Sequence, residues 1–229
     1  MIKLEKTDVY GWEAAIRGMR NPMNSWDKSD SLICTAQDGC DNCPDYHEPQ
    51  CAGNTSDGVR IGINDHDLMM KLAKGGSVHA KYRRMITVTV DSTAPLYWWK
   101  DFDTYKVGTV ANSCSTMHKI HAKEFTLDDF SHEHLMVNAE RCLKDTIVVL
   151  NDYRDHFLKD KGKDNWWQMI QLLPTSYNQK RTVLLNYEVL VGMYRDRKDH
   201  KLDEWHVFCD WIRDLPYSEV ITCGSKTGI

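Results

Sequence analysis

LLPTSYNQKRTVLLNYEVLVGMYRDRKDHKLDEW, residues 172–205, is the stretch whose reading decides the fold. Leu173-Pro174 stops the helical pattern before it, because proline lacks an amide hydrogen and biases the preceding residue away from helical dihedrals. Thr175 or Ser176 then starts a helix predicted to run to about Lys198. Leu202–Arg213 forms the last helix, ended by Leu215-Pro216. Before the stretch come a short helix at Asn165–Leu172, a long one from about Glu133 to Phe157, and a short one near Leu127–Phe130.

A second informative stretch, WWKDFDTYKVGTVANSCSTMHK, covers residues 98–119. Asp91-Ser92-Thr93 is expected to cap its helix, with Pro95 in the first turn and the end near Lys106. Gly108 to Ser115 (GTVANSCS) is short, polar and poor in helix formers, and reads as a loop of the kind that holds sites. Thr109, Asn112, Ser113 and Ser115 there offer hydroxyl, amide and backbone N–H groups to a phosphate or a base. Upstream, RMITVTV (84–90) alternates Met85, Thr87 and Thr89 against Ile86, Val88 and Val90, which predicts a strand with one face buried. Asn64-Asp65 is expected to cap a helix through Lys74, stopped by Gly75-Gly76. The chain opens with a strand in MIKLEKTDVYGW and a short helix around Trp12–Met19. The expectation is an α+β fold, a helical core around a small β-sheet, as a single domain over 1–229 with no internal repeat.

With 229 residues, 41% hydrophobic and 27% charged, the chain can bury an ordinary core. A net charge of −4 gives no electrostatic footprint for duplex nucleic acid. A free mononucleotide needs only a few local cations or a helix N-terminus, and stays open. No apolar run approaches a membrane span, and the first residues carry no secretory h-region, so a cytoplasmic protein is expected.

Residues 29–62 turn to Asp, Asn, Gly, Ser and Cys, and read as a Cys-rich insertion loop. Cys34, Cys40, Cys43 and Cys51 fall within it, and four thiols converging tetrahedrally would suit a structural zinc. A disulfide-bonded loop, an iron–sulfur cluster and free thiols are the open alternatives. His79, with Lys81, Arg83 and Arg84 behind it, is either an anion-binding entrance to the strand or a solvated basic end.

Taken together, these stretches resemble the flavin-dependent thymidylate synthases (ThyX), in a divergent form. That family carries a helix ending in RHR and then x-x-S-x-N-E/Q-x-S-x-R-Y, where this chain has TYKVGTVANSCSTMH. Downstream it has R-x-x-L-P, then N-x-R-x-L, then an arginine with an acidic residue at the start of the last helix. Here Leu173-Pro174 is followed by Asn186, Leu190, Arg197, His200 and Glu204, in matching order across roughly residues 65–210. Thr104, Met117 and Ile170 stand at family arginine positions.

The resemblance implies that His79, Tyr105, Lys106 and Asn186 contact FAD, and that Asn112, Ser115 and Arg197 contact the pyrimidine nucleotide. Either Lys106, Lys180, Arg181 or Arg195 replaces the missing phosphate-positioning guanidiniums, or the ligand differs. The resemblance also implies methylenetetrahydrofolate and NADPH as co-substrates, a homotetramer, and no protein nucleophile, because flavin and folate supply the hydride and the one-carbon unit. Reductive methylation of dUMP or a related deoxypyrimidine nucleotide is the first functional expectation. A non-catalytic nucleotide- or flavin-binding protein and a different pyrimidine modification on the same scaffold are the alternatives; phage-type DNA metabolism would suit the latter.

Overall fold

The computed structural model describes residues 2–34 and 57–223. In chain order the elements are β1 (Lys3–Tyr10), α1 (Trp12–Arg20), β2 (Leu32–Ile33), β3 (Val59–Arg60), α2 (Ile63–Lys74), β4 (Thr87–Pro95), α3 (Leu96–Phe102), β5 (Val110–Ser113), α4 (Val137–Asp160), α5 (Lys163–Leu172), β6 (Asn178–Asn186), α6 (Tyr187–Arg197), α7 (Asp203–Arg213) and α8 (Glu219–Thr222). Four strands form one sheet in the order β1-β4-β6-β5, and β2 pairs antiparallel with β3. The mixed helix-and-sheet class agrees with expectation; the strand boundaries do not.

The alternation that begins in β4 does not stop at Val90. Val88, Val90, Ser92 and Ala94 all turn inward, so the Asp91-Ser92-Thr93 run expected to cap a helix is strand instead. Pro95 sets the boundary: it favours extended backbone before it, and the helix starts at Leu96. The opening amides of α3 find tertiary acceptors, Leu96 N–H on Tyr177 O at 3.0 Å and Tyr97 N–H on Thr175 O at 3.1 Å. The helix ends at Phe102 rather than near Lys106, and part of the expected 108–115 loop is strand β5.

The largest correction is β6. NQKRTVLLN was expected to be helical, yet it is the strand beside β4, with Gln179, Val183 and Leu185 buried at alternating positions. Its lysine, arginine and leucines are good helix formers, and ladder pairing outweighs that weak local preference. Helix α6 therefore begins at Tyr187, capped by Asn186, whose Oδ1 accepts the Val189 N–H at 3.0 Å.

The described chain forms two compact units, one of residues 1–4, 91–104 and 111–182, the other of residues 5–90, 105–110 and 183–229. In the first, α4 places Leu143, Ile147 and Leu150 on one buried stripe, packed with Met169 of α5 and with Ile120, Phe125 and Phe130. In the second, Trp12 meets Tyr187 edge-on at 5.3 Å, and Met69, Tyr82, Leu190, Trp205 and Phe208 are buried as well.

Both feet of the 29–62 segment are tied into the second unit. Asp65, fully buried, is bound by Arg20 Nε at 2.5 Å, Ser29 Oγ at 2.7 Å and Ser31 Oγ at 2.7 Å. Asp30 in turn accepts the Asn64 and Asp65 amides at 2.9 and 3.1 Å, so it, not Asn64 or Asp65, caps α2. At the other foot, Asp57 accepts the Gly11 and Trp12 amides at 2.8 and 3.0 Å. Burial pulls the Asp65 carboxyl upward, and the donors Ser29, Ser31 and Arg20 together outweigh it and hold the pKa below the usual range.

The zinc expectation finds no support. Cys40, Cys43 and Cys51 lie outside the described residues, Cys34 is an exposed free thiol, and among the described residues no group of three or more His, Cys, Asp or Glu is placed to hold a metal. No helix among the described residues is long and apolar enough to cross a membrane.

Candidate functional site

In the second unit, the tight turn into α6 brings a loop against the helix start. Gly108 has φ +78°, and an added Cβ would stand 2.8 Å from Val189 Cγ2 and 3.0 Å from Asn186 Nδ2. Glycine is required there for both backbone and space. The close approach places Tyr105 and Thr109 beside α6, with Thr109 Oγ1 donating to Tyr105 O at 2.6 Å.

At the far end of α6, Arg197 donates from Nε to Tyr105 Oη at 2.8 Å. Its guanidinium carbon lies 5.3 Å from the Tyr105 ring centroid and 5.0 Å from that of Trp205, and the two rings are 6.1 Å apart at 68°. Trp205 is fully buried and His200 lies 6.3 Å from its ring. Of the residues implied by sequence, Tyr105, Arg197 and His200 are thus one cluster, built by residues 92 apart in the chain.

A cavity of about 410 Å³ in the same unit is lined by Lys74, Ser77, Arg83, Glu188, Gly192 and Arg195, among others. That volume is in the range of small-ligand pockets. Glu188, Gly192 and Arg195 share one face of α6 by helical spacing. His79 is exposed and packs beside Gly75, where an added Cβ would come within 3.2 Å of its Cδ2. Lys106 is exposed, with no ion pair among the described residues. Arg83 is not part of a solvated basic end: it is 4% exposed, its Nη2 donates to Val220 O, and its Nη1 lies 3.7 Å from Glu188 Oε2. Sequence reasoning missed this pair, since Glu188 gave no signal without its distant partner.

The first unit holds the other candidates. Lys180 Nζ is 3.1 Å from Asp91 Oδ2, and Thr182 Oγ1 donates to Asp91 Oδ1 at 2.6 Å. Arg181 stacks 4.2 Å over Trp99 and donates from Nη1 to Asp103 at 2.8 Å and from Nε to Gln179 Oε1 at 3.0 Å. Gln179 Nε2 in turn donates to Cys114 O at 2.7 Å. Both cations are therefore already matched to carboxylates. Asn112 sits on the exposed strand β5, and Ser115 Oγ accepts the Met117 and His118 amides at 3.2 and 2.9 Å, fixing the turn that follows. Met117 is exposed and gives its carbonyl to Trp166 Nε1 at 2.9 Å.

No protein-family model and no curated protein matches the chain. Solved structures do. A ThyX thymidylate synthase from Helicobacter pylori, crystallised with FAD and dUMP, is similar over 96% of this chain and 96% of its own, with a TM-score of 0.64 at 12% identity. A second structure of flavin-dependent ThyX from Helicobacter pylori complexed with FAD and dUMP gives a TM-score of 0.62 at 12% identity, covering 94% of this chain and 96% of its own. The UMP/dUMP methylase PolB from Streptomyces cacaoi, bound with 5-Br dUMP, gives 0.60 at 12% identity, over 98% and 95%. The fold of this chain is similar to that of the ThyX thymidylate synthases and the PolB methylase.

Proposed function

We propose that the protein is a flavin-dependent enzyme that methylates, or otherwise modifies at C5, dUMP or a related deoxypyrimidine nucleotide. The observation that carries this reading is the likeness over 96% of the chain to a protein solved with both FAD and dUMP. Arg197, at the position of the family's nucleotide-binding arginine and locked on Tyr105 at 2.8 Å, supports it.

FAD is proposed to be held by His79, Lys106 and Asn186, and the 410 Å³ cavity of the same unit, with Lys74, Arg83 and Arg195 beside Glu188 in its wall, has more cations than anions to receive a charged group. When bound, FAD supplies the redox chemistry, and methylenetetrahydrofolate and NADPH are the proposed sources of carbon and electrons. The chain's own residues then bind and orient. Arg197 binds the nucleotide, and Asn186 holds the start of α6, with its Oδ1 on the Val189 amide. Lys180 and Arg181, paired with Asp91 and Asp103, hold strand β6 and are proposed as supports rather than as phosphate ligands.

The test has two stages. FAD is titrated into the purified protein and the visible spectrum of the flavin followed; saturable perturbation is expected, and its absence overturns the cofactor assignment. Tritium release from 5-labelled dUMP, with methylenetetrahydrofolate and NADPH present, then reports attack at C5. Flavin binding without release, under the same conditions with dUMP bound, contradicts the proposed reaction.

A further inference from the structure

Tyr105 falls where the resemblance puts a flavin contact, but its hydroxyl is engaged elsewhere: it accepts the Arg197 Nε–H at 2.8 Å. The ring also forms one side of an aromatic slot, with Trp205 as the other, around a guanidinium carbon 5.3 and 5.0 Å from the two centroids. We propose that Tyr105 is a positioning residue for the nucleotide: with Trp205 it fixes the plane and roll of the Arg197 guanidinium, so that the side chain meets the nucleotide in one preset orientation.

The proposal rests on the nucleotide-binding reading of Arg197 and deepens it. Arginine is a long side chain with many rotamers, and a planar fork recognises an oxyanion or a carbonyl edge well when its plane is set beforehand. Hydrogen bonding at Nε stops rotation about the last bonds, and stacking between two rings stops tilting. Ordering on binding then costs less, which raises affinity without any new contact to the ligand. Trp205 is fully buried and stands edge-on to Phe208 at 5.5 Å, so one wall of the slot is fixed by the core. The other wall is held through Gly108, whose positive φ and close fit against Val189 bring the Tyr105 loop to α6. The sequence therefore spends a glycine and two aromatics on the orientation of one arginine.

Tyr105→Phe keeps the ring and removes the hydroxyl. Calorimetric titration of dUMP into the full-length protein, with FAD in excess, is expected to show about five- to tenfold weaker binding and an unchanged melting temperature. In an Arg197→Lys background, which has no Nε–H donor and no planar fork, the same Tyr105→Phe change is expected to alter affinity less than about twofold. Equal losses in both backgrounds would mean that the hydroxyl acts on the ligand directly, and would overturn the proposal. Unchanged dUMP affinity in Tyr105→Phe also overturns it, provided Arg197→Ala loses binding. If Arg197→Ala binds dUMP as well as the wild type, it is the underlying reading of Arg197 that fails.

Discussion

Arg181 and Arg197 both lie over tryptophan rings, 4.2 Å from the centroid of Trp99 and 5.0 Å from that of Trp205. Each belongs to a different compact unit, and each is held by a second group through Nε. Their surroundings differ. Arg181 reaches the carboxylate of Asp103 at 2.8 Å, while its Nε partner Gln179 is itself fixed on Cys114 O, so the arginine closes a chain of bonds linking α3, β6 and the turn after β5. Arg197 is held at Nε by a phenol and lies between two rings near the end of α6. Similar stacking thus serves a strut in one place and, on our reading, a ligand contact in the other. Residue type alone does not tell the two apart.

Arg197→Ala tests this contrast with the largest expected effect. It is expected to weaken dUMP binding about a hundredfold, the loss of a charge-assisted contact, in a protein that still folds. Arg181→Ala is expected to do the reverse. It should lower unfolding free energy by about 2 kcal/mol in denaturant titration and leave dUMP affinity unchanged. If Arg181→Ala instead abolishes dUMP binding in a protein of normal stability, the contrast is broken and Arg181 is a ligand residue after all.

Gly108→Ala sharpens the Arg197 side. Its φ of +78° and a Cβ 2.8 Å from Val189 predict a loss of about 1–2 kcal/mol in stability. Because the strain falls on the loop that carries Tyr105, dUMP affinity should drop with it. Unchanged affinity would uncouple the loop from the guanidinium.

The smallest effect, near neutrality, is that of pH. Asp65 has a folded pKa below its unfolded value near 4, so the unfolded chain takes up the proton first. Its contribution is fully present above about pH 4 and is lost as pH falls through the folded pKa. Equilibrium unfolding should show a flat contribution from Asp65 between about pH 7 and pH 5 and a decline below about pH 4, which Asp65→Asn removes. Persistence of the full acid decline in that variant would show that other carboxylates set it.

What could be read from the sequence follows from which interactions are local. The Asn186 to Arg197 spacing and the stop at Pro174 lie within one stretch, and they were enough to reach the fold. Strand β6 was not legible, because Lys180 and Arg181 look like a solvated helix face until Asp91 and Asp103 are brought to them. Asp91-Ser92-Thr93 has the composition of a cap, and its alternation with Val88 and Val90 is what the sheet selects. Asn186 is expected from sequence as a flavin contact; what the structure shows is its Oδ1 capping α6. The Arg83–Glu188 pair and the Tyr105–Arg197 bond each join residues far apart in the chain, and no pattern within a single window signals either.

The central claim is that this fold, with two of the family's arginine positions filled by Met117 and Ile170, still acts on a deoxypyrimidine nucleotide. Tritium release from 5-labelled dUMP by the FAD-supplemented protein, with methylenetetrahydrofolate and NADPH, tests it most directly. The account predicts release that depends on FAD and disappears in Arg197→Ala; release that is absent from the wild type while dUMP and FAD are both shown to be bound would contradict it.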